Sequence, residues 1–98
     1  MRAAVWKFPL TAKNILKIDI PRSARILTVQ AQGDTAVSLW AMVETEEAST
    51  ETRTIVILMT GQRAPVDPDG LRYISTFQID NGALVYHVFE YIGPAGAL

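Results

Sequence analysis

The residues with the most chemical capacity in this chain are few and scattered. There is one histidine, His87, and it sits in the segment TFQIDNGALVYHVFE between two apolar neighbours. Hydroxyl or thiol nucleophilic catalysis needs a nucleophile, a base and a group that orients the base. The chain has no cysteine and no GxSxG, and Ser38 and Ser75 have no motif around them. Paired carboxylates for glycosidic chemistry need facing positions. The acids here cluster instead as Glu44, Glu46, Glu47 and Glu51, then Asp67 and Asp69. Asp67-Pro68-Asp69-Gly70 has the first part of a calcium loop but lacks the later bidentate Glu, so it reads as a turn. Without cysteine, thiolate metal sites are excluded, and with a single histidine a His-rich site is excluded unless an oligomer builds one from several copies. No GxxxxGK[ST] or GxGxxG occurs. The expectation is a protein that is not an enzyme, with no catalytic residues, no metal and no cofactor.

Cations and aromatics remain. Arg63 and Arg72 are placed to clamp an anion, and Trp6 beside Lys7 offers a stacking ring next to a charge. Arg63 lies in the longest loop, where binding residues concentrate. Tyr73, Tyr86 and Tyr91 are further stacking candidates. Formal net charge is −1, which argues against a general nucleic-acid binder. The charge is unevenly spread. Residues 1–25 carry Arg2, Lys7, Lys13, Lys17, Arg22 and Arg25 against Asp19 alone, while the rest carries three Arg against nine carboxylates. A basic head and an acidic body suit an anionic ligand, or packing between protomers.

These residues must be positioned by strands. At 98 residues the chain forms one domain spanning 1–98, and 49% of it is hydrophobic against 19% charged, as in a folded soluble domain. No apolar run is long enough for a membrane span or a signal peptide, so the expected setting is the cytoplasm. No long window keeps a helical apolar stripe, whereas short alternating runs recur. Val5–Phe8 is halted by Pro9, and Ile15–Ile20 by Pro21. In ILTVQAQ, Leu27, Val29 and Ala31 share one face. After a Gly33-Asp34 turn, Val37, Leu39, Ala41 and Val43 share the inward face of the next strand, opposite Ser38, Trp40 and Met42. ETEEASTE is an acidic loop. Ile55–Met59 is apolar on both faces and reads as a central strand. Leu71, Tyr73, Ser75, Phe77 and Ile79 alternate towards the core. Asn81-Gly82 then predicts a type I′ hairpin turn. On the returning arm, Leu84, Tyr86, Val88 and Glu90 share one face, and Val85, His87, Phe89 and Tyr91 the other. His87 therefore reads as structural.

The fold class is all-β, an antiparallel sandwich or partly open barrel of about six or seven strands. Ile26, Trp40, Met42, Ile74, Val85 and Phe89 fall on the opposite parity from the inward sets. This predicts a homo-oligomer with Trp40 and Met42 in its interface.

The segments WKFPL (Trp6–Leu10), Leu39-Trp40-Ala41, Thr60-Gly61, LRYISTFQ (Leu71–Gln78) and LVYHVFE (Leu84–Glu90) resemble a family of small proteins carried by phages and prophages, of unknown function. The resemblance spans nearly the whole chain and brings no catalytic residues. It implies a phage-borne accessory protein in the host bacterial cytoplasm. The expected function is a non-enzymatic inhibitor of bacterial defence that sequesters a small anionic, nucleotide-like signal or binds a defence protein. The alternative is a structural or assembly accessory of the phage particle. The acidic loop and the IGPAGAL tail are particular to this chain.

Overall fold

The computed structural model describes residues 2–11 and 13–98. Seven strands form two antiparallel sheets: β1 Ala3–Leu10, β2 Ile15–Pro21, β3 Arg25–Gln32, β4 Ala36–Glu44, β5 Thr50–Met59, β6 Leu71–Ile79 and β7 Leu84–Tyr91. A three-stranded sheet has the order β1-β4-β3, and a four-stranded sheet the order β2-β5-β7-β6. The sheets do not close into a barrel.

The core lies between the sheets. Leu39, Ala41 and Val43 of β4 and Val29 of β3 meet Ile55 and Ile57 of β5, Phe77 of β6 and Val88 of β7. Leu39, Val29, Ile55 and Val88 have no exposed surface. Each such side chain contributes roughly 1.5–3 kcal/mol on burial. The central position expected for β5 holds, since it is flanked by β2 and β7. Its alternate residues Val56 and Leu58 are also buried but lie outside that core. Val56 is opposed by Ile15 on β2 and Phe89 on β7, so the outer face carries its own apolar row.

Pro9 and Pro21 both sit on edge strands. Pro9 does not end β1, which runs on to Leu10, because an edge strand has one side that needs no donor. The turn between β6 and β7 has Asn81 at φ 54, ψ 33 and Gly82 at φ 86, and the Ala83 N–H donates to the Asp80 carbonyl at 3.0 Å. These φ values match the type I′ turn expected of Asn-Gly. Asp80 and Ala83 lie outside the ladder, whose last pair is Ile79 with Leu84.

Two alternations depart from the sequence reading, each at a register shift. The β3–β4 ladder slips between Ile26 and Thr28, and the β6–β7 ladder between Tyr73 and Ser75. Ile26 thereby turns onto the core and Leu27 is left 41% exposed. Ile74 likewise packs on the core, while Tyr73 is 58% exposed. A bulge adds one residue to one strand and re-aims the side chains beside it. The apolar set of opposite parity is therefore smaller than expected. What remains is split between Trp40 and Met42 on the three-stranded sheet and Val85 and Phe89 on the four-stranded one.

The two sheets meet edge to edge along β3 and β6. The Val29 N–H donates to Ser75 Oγ at 3.0 Å, and that hydroxyl donates to the Val29 carbonyl at 2.7 Å. Gln30 Nε2 reaches the Thr76 carbonyl, and the Asp80 N–H donates to Asp34 Oδ1. All four bonds span the same 46 residues, so β3 and β6 run side by side in the same direction.

Candidate anion-binding cleft

The strongest charges in the fold converge at one end of this seam. Glu90 falls on the inward parity of β7 and is buried, its side chain 7% exposed. A buried carboxylate requires charged or hydrogen-bonding partners. Arg53, at the polar start of β5, donates from Nε to Glu90 Oε2 and from Nη2 to Oε1 at 3.0 Å. Its Nη1 donates to the Ala24 carbonyl at 2.9 Å and to Glu51 Oε1 at 3.2 Å. Arg72, opposite Glu90 in the β6–β7 register, adds a bond from Nη2 to Oε1 at 2.7 Å. Burial alone pushes the Glu90 carboxyl up, but the hydrogen bonds and charges of Arg53 and Arg72 together hold it below the ordinary glutamate value. The hydrogen bond to Glu90 raises Arg53, against the opposing effect of burial.

Arg53 is committed through all three of its nitrogens. Arg72 is not. Its side chain is 59% exposed and spends one donor on Glu90, leaving most of a guanidinium's five N–H groups available. Arg25 is exposed and has no hydrogen bond or ion pair among the described residues. Arg25 and Arg72 line one cleft of about 400 Å³, with Ile26 and Leu27 on the β3 side, Tyr73 and Ile74 on the β6 side, and the Arg53–Glu90 pair. The two register shifts lie near each other across the seam, and residues beside them form the walls of this cleft. Bulges of this kind are common beside functional sites. The exposed Tyr73 ring is braced edge-on by Phe89, centroids 5.9 Å apart at 67°, and its hydroxyl bonds Thr76 Oγ1 at 2.7 Å.

Of the four ligand-binding residues expected from sequence, Arg72 alone lines this cleft. Lys7 donates from Nζ to Gln32 Oε1 at 3.1 Å. Trp6 is 42% exposed on β1 and pairs with Ala41, on the opposite face of the strand from Lys7. Arg63 is exposed in the loop between β5 and β6. No hydrogen bond or ion pair among the described residues joins any two of the four. Asp67-Pro68-Asp69-Gly70 forms a one-turn 3₁₀ segment, in which Asp67 Oδ1 accepts the Asp69 N–H. Arg25, Arg53 and Glu90 were missed as site residues. The available signal was Glu90 itself, an acid on the core parity of its strand, which demands a cation from a neighbour.

His87 lies on the outer face of β7. Nε2 bonds Thr60 Oγ1 at 2.7 Å, and Nδ1 bonds Thr76 Oγ1 at 3.2 Å. Both ring nitrogens are thus satisfied by hydroxyls. No carboxylate is among these partners to stabilise an imidazolium, as a catalytic triad requires. The arrangement ties β6 and β7 to the turn that follows β5.

Residues 1–96 match the model of a protein family described as a domain of unknown function (DUF7352). The chain belongs to this family. Neither the curated proteins nor the solved structures contain a match to it. The family carries no assigned chemistry, so the reading of the DUF7352 chain rests on its cleft. Among its described residues no helix is long and apolar enough to cross a membrane.

Proposed function

We propose that this DUF7352 protein is a non-enzymatic binding protein that holds a small phosphate-bearing ligand of nucleotide type in the β3–β6 cleft. The observation that supports it is two guanidiniums with free donors, Arg25 and Arg72, lining one cleft beside an exposed aromatic ring. Planar guanidinium forks suit phosphate oxygens, and Tyr73 supplies a face for a base. The volume falls within the usual range for small-ligand sites. Together with the resemblance to phage-borne proteins, this reading gives sequestration of a nucleotide-like signal of host defence as the role.

The test is titration with adenosine monophosphate followed by calorimetry, alongside the 260 nm absorbance of protein purified from bacteria. Saturable binding lost in an Arg25→Ala, Arg72→Ala double variant is the expected result. Binding unchanged in that variant, or absent from the native protein for adenosine monophosphate and inorganic phosphate alike, overturns the reading. A second reading, a docking or assembly accessory of the phage particle, is favoured by the outer face of the three-stranded sheet. There Val5 is half exposed beside Met42, its register partner, and Trp40.

A further inference from the structure

The sandwich is open at the end where the β1–β2 and β3–β4 turns meet the four-stranded sheet. A slot of about 250 Å³ enters between the sheets there, well separated in residue content from the arginine cleft. Its walls are core side chains: Val37 from one sheet, and Ile57, Phe77, Ile79 and Tyr86 from the other. Phe77 and Tyr86 are stacked on each other with centroids 5.3 Å apart at 23°, an aromatic pair in the wall of the slot. The rim is polar and carries one charge of each sign, Lys13 on one turn and Asp34 on the other. These two make no ion pair with each other, and Lys13 has no hydrogen-bond partner among the described residues. Asp34 gives Oδ1 to the Asp80 N–H at 3.1 Å, which fixes its carboxylate and leaves the second oxygen free.

We propose that this slot binds a free aromatic α-amino acid. The ring would enter along Phe77 and Tyr86, since aromatic pairs favour offset-stacked or edge-on contact. Its carboxylate would meet Lys13 and its ammonium Asp34. The paired rim charges select the class of ligand. An aromatic acid without an ammonium meets repulsion at Asp34, and an aromatic amine without a carboxylate meets it at Lys13. A zwitterion satisfies both. An apolar slot with a few convergent polar groups at its mouth has the anatomy of a small-ligand site. The inference uses none of the residues of the anion cleft and stands or falls separately.

The experiment is amide NMR on isotope-labelled full-length protein titrated with L-phenylalanine, phenethylamine, 3-phenylpropionate and N-acetylphenylalanine amide. The expected result is saturable shifts at Asn14, Thr35, Val37, Ile57 and Tyr86. Phenylalanine should bind about tenfold more tightly than each of the other three, the scale of one charge-assisted hydrogen bond. Lys13→Gln should abolish its advantage over phenethylamine, and Asp34→Asn its advantage over 3-phenylpropionate. Both positions are exposed turn residues, and Asn keeps an acceptor for the Asp80 N–H, so both variants should fold. Absence of saturable shifts at the slot, shifts confined to other residues, or equal binding of the amide overturns the proposal.

Discussion

Glu90 and its two arginines show how unequal two contacts to one carboxylate can be. Arg53 is 15% exposed and engages both carboxylate oxygens, whereas Arg72 is 59% exposed and engages one. Removing one partner of a buried pair strands the other charge and costs about 3 kcal/mol or more, while an exposed contact is worth under about 1 kcal/mol. Arg53→Ala should therefore lower the urea midpoint severely and Arg72→Ala slightly, so that Arg72 can be altered to test ligand binding without unfolding the protein. The carboxyl also ties stability to pH. Its folded value lies below the ordinary 4.5, because hydrogen bonds and charges from the arginines outweigh burial. On acidification the unfolded chain takes up the proton first. The stability this group supplies is thus complete above about 4.5 and is lost as pH falls through the folded value. Urea unfolding at neutral and acid pH should show a smaller acid loss in Glu90→Gln than in the native chain; an equal loss assigns the effect to other carboxylates.

At the scale of elements, the buried part of the joint between the sheets is held by one hydroxyl. Ser75 both donates to and accepts from Val29, a residue with no exposed surface, in place of a backbone ladder. Ser75→Ala leaves a buried N–H and C=O without partners, which costs about 2 kcal/mol. Its melting temperature should fall well below that of Thr35→Ala, an exposed turn substitution. The seam was also the least legible part of the sequence. The alternation in β4 and β7 gave the right faces from Val37 to Val43 and from Leu84 to Tyr91, because the extra residue of each slipped ladder lies on the partner strand and β4 and β7 themselves run on regularly. The alternation in β3 and β6 failed at Leu27 and Tyr73. A bulge leaves no mark in a run of apolar residues, and a one-residue slip exchanges inside for outside. The cleft is built from those two slips, so reading Arg72 as a binding residue was possible while finding Arg25 beside it was not. The approach of β3 to β6 that brings them together is tertiary information.

On the scale of the whole molecule, the charge asymmetry of the sequence is partly resolved inside one chain. The Arg2 N–H donates to Glu44 at 3.0 Å and its guanidinium approaches Glu46 at 3.7 Å, while the Ser23 N–H meets Glu51 at 3.1 Å. Arg2 is the one cation of the head in an ion pair with the acidic loop among the described residues. The case for self-association narrows to the outer face of the three-stranded sheet. There Trp40 is paired with Lys7 on β1 and Thr28 on β3, and Met42 with Val5 and Arg25. A large ring held at the centre of a sheet, with Val5 50% exposed nearby, makes an apolar strip of the kind that marks interfaces. The flanking Lys7 and Arg25 would form a polar rim. This argument predicts a dimer through that face, and light scattering at micromolar concentration should then give about twice 10.8 kDa. Trp40→Glu should then yield a monomer that keeps its strand spectrum. A buried carboxylate without a partner costs several kcal/mol in the interface, yet Trp40 lies outside the core cluster. A native mass of 10.8 kDa at all concentrations removes the dimer. A dimer that survives Trp40→Glu moves the interface to the opposite sheet, where the half-buried Phe89 and Val85 and the exposed Tyr73 form an outer apolar row, and Phe89→Glu becomes the decisive variant.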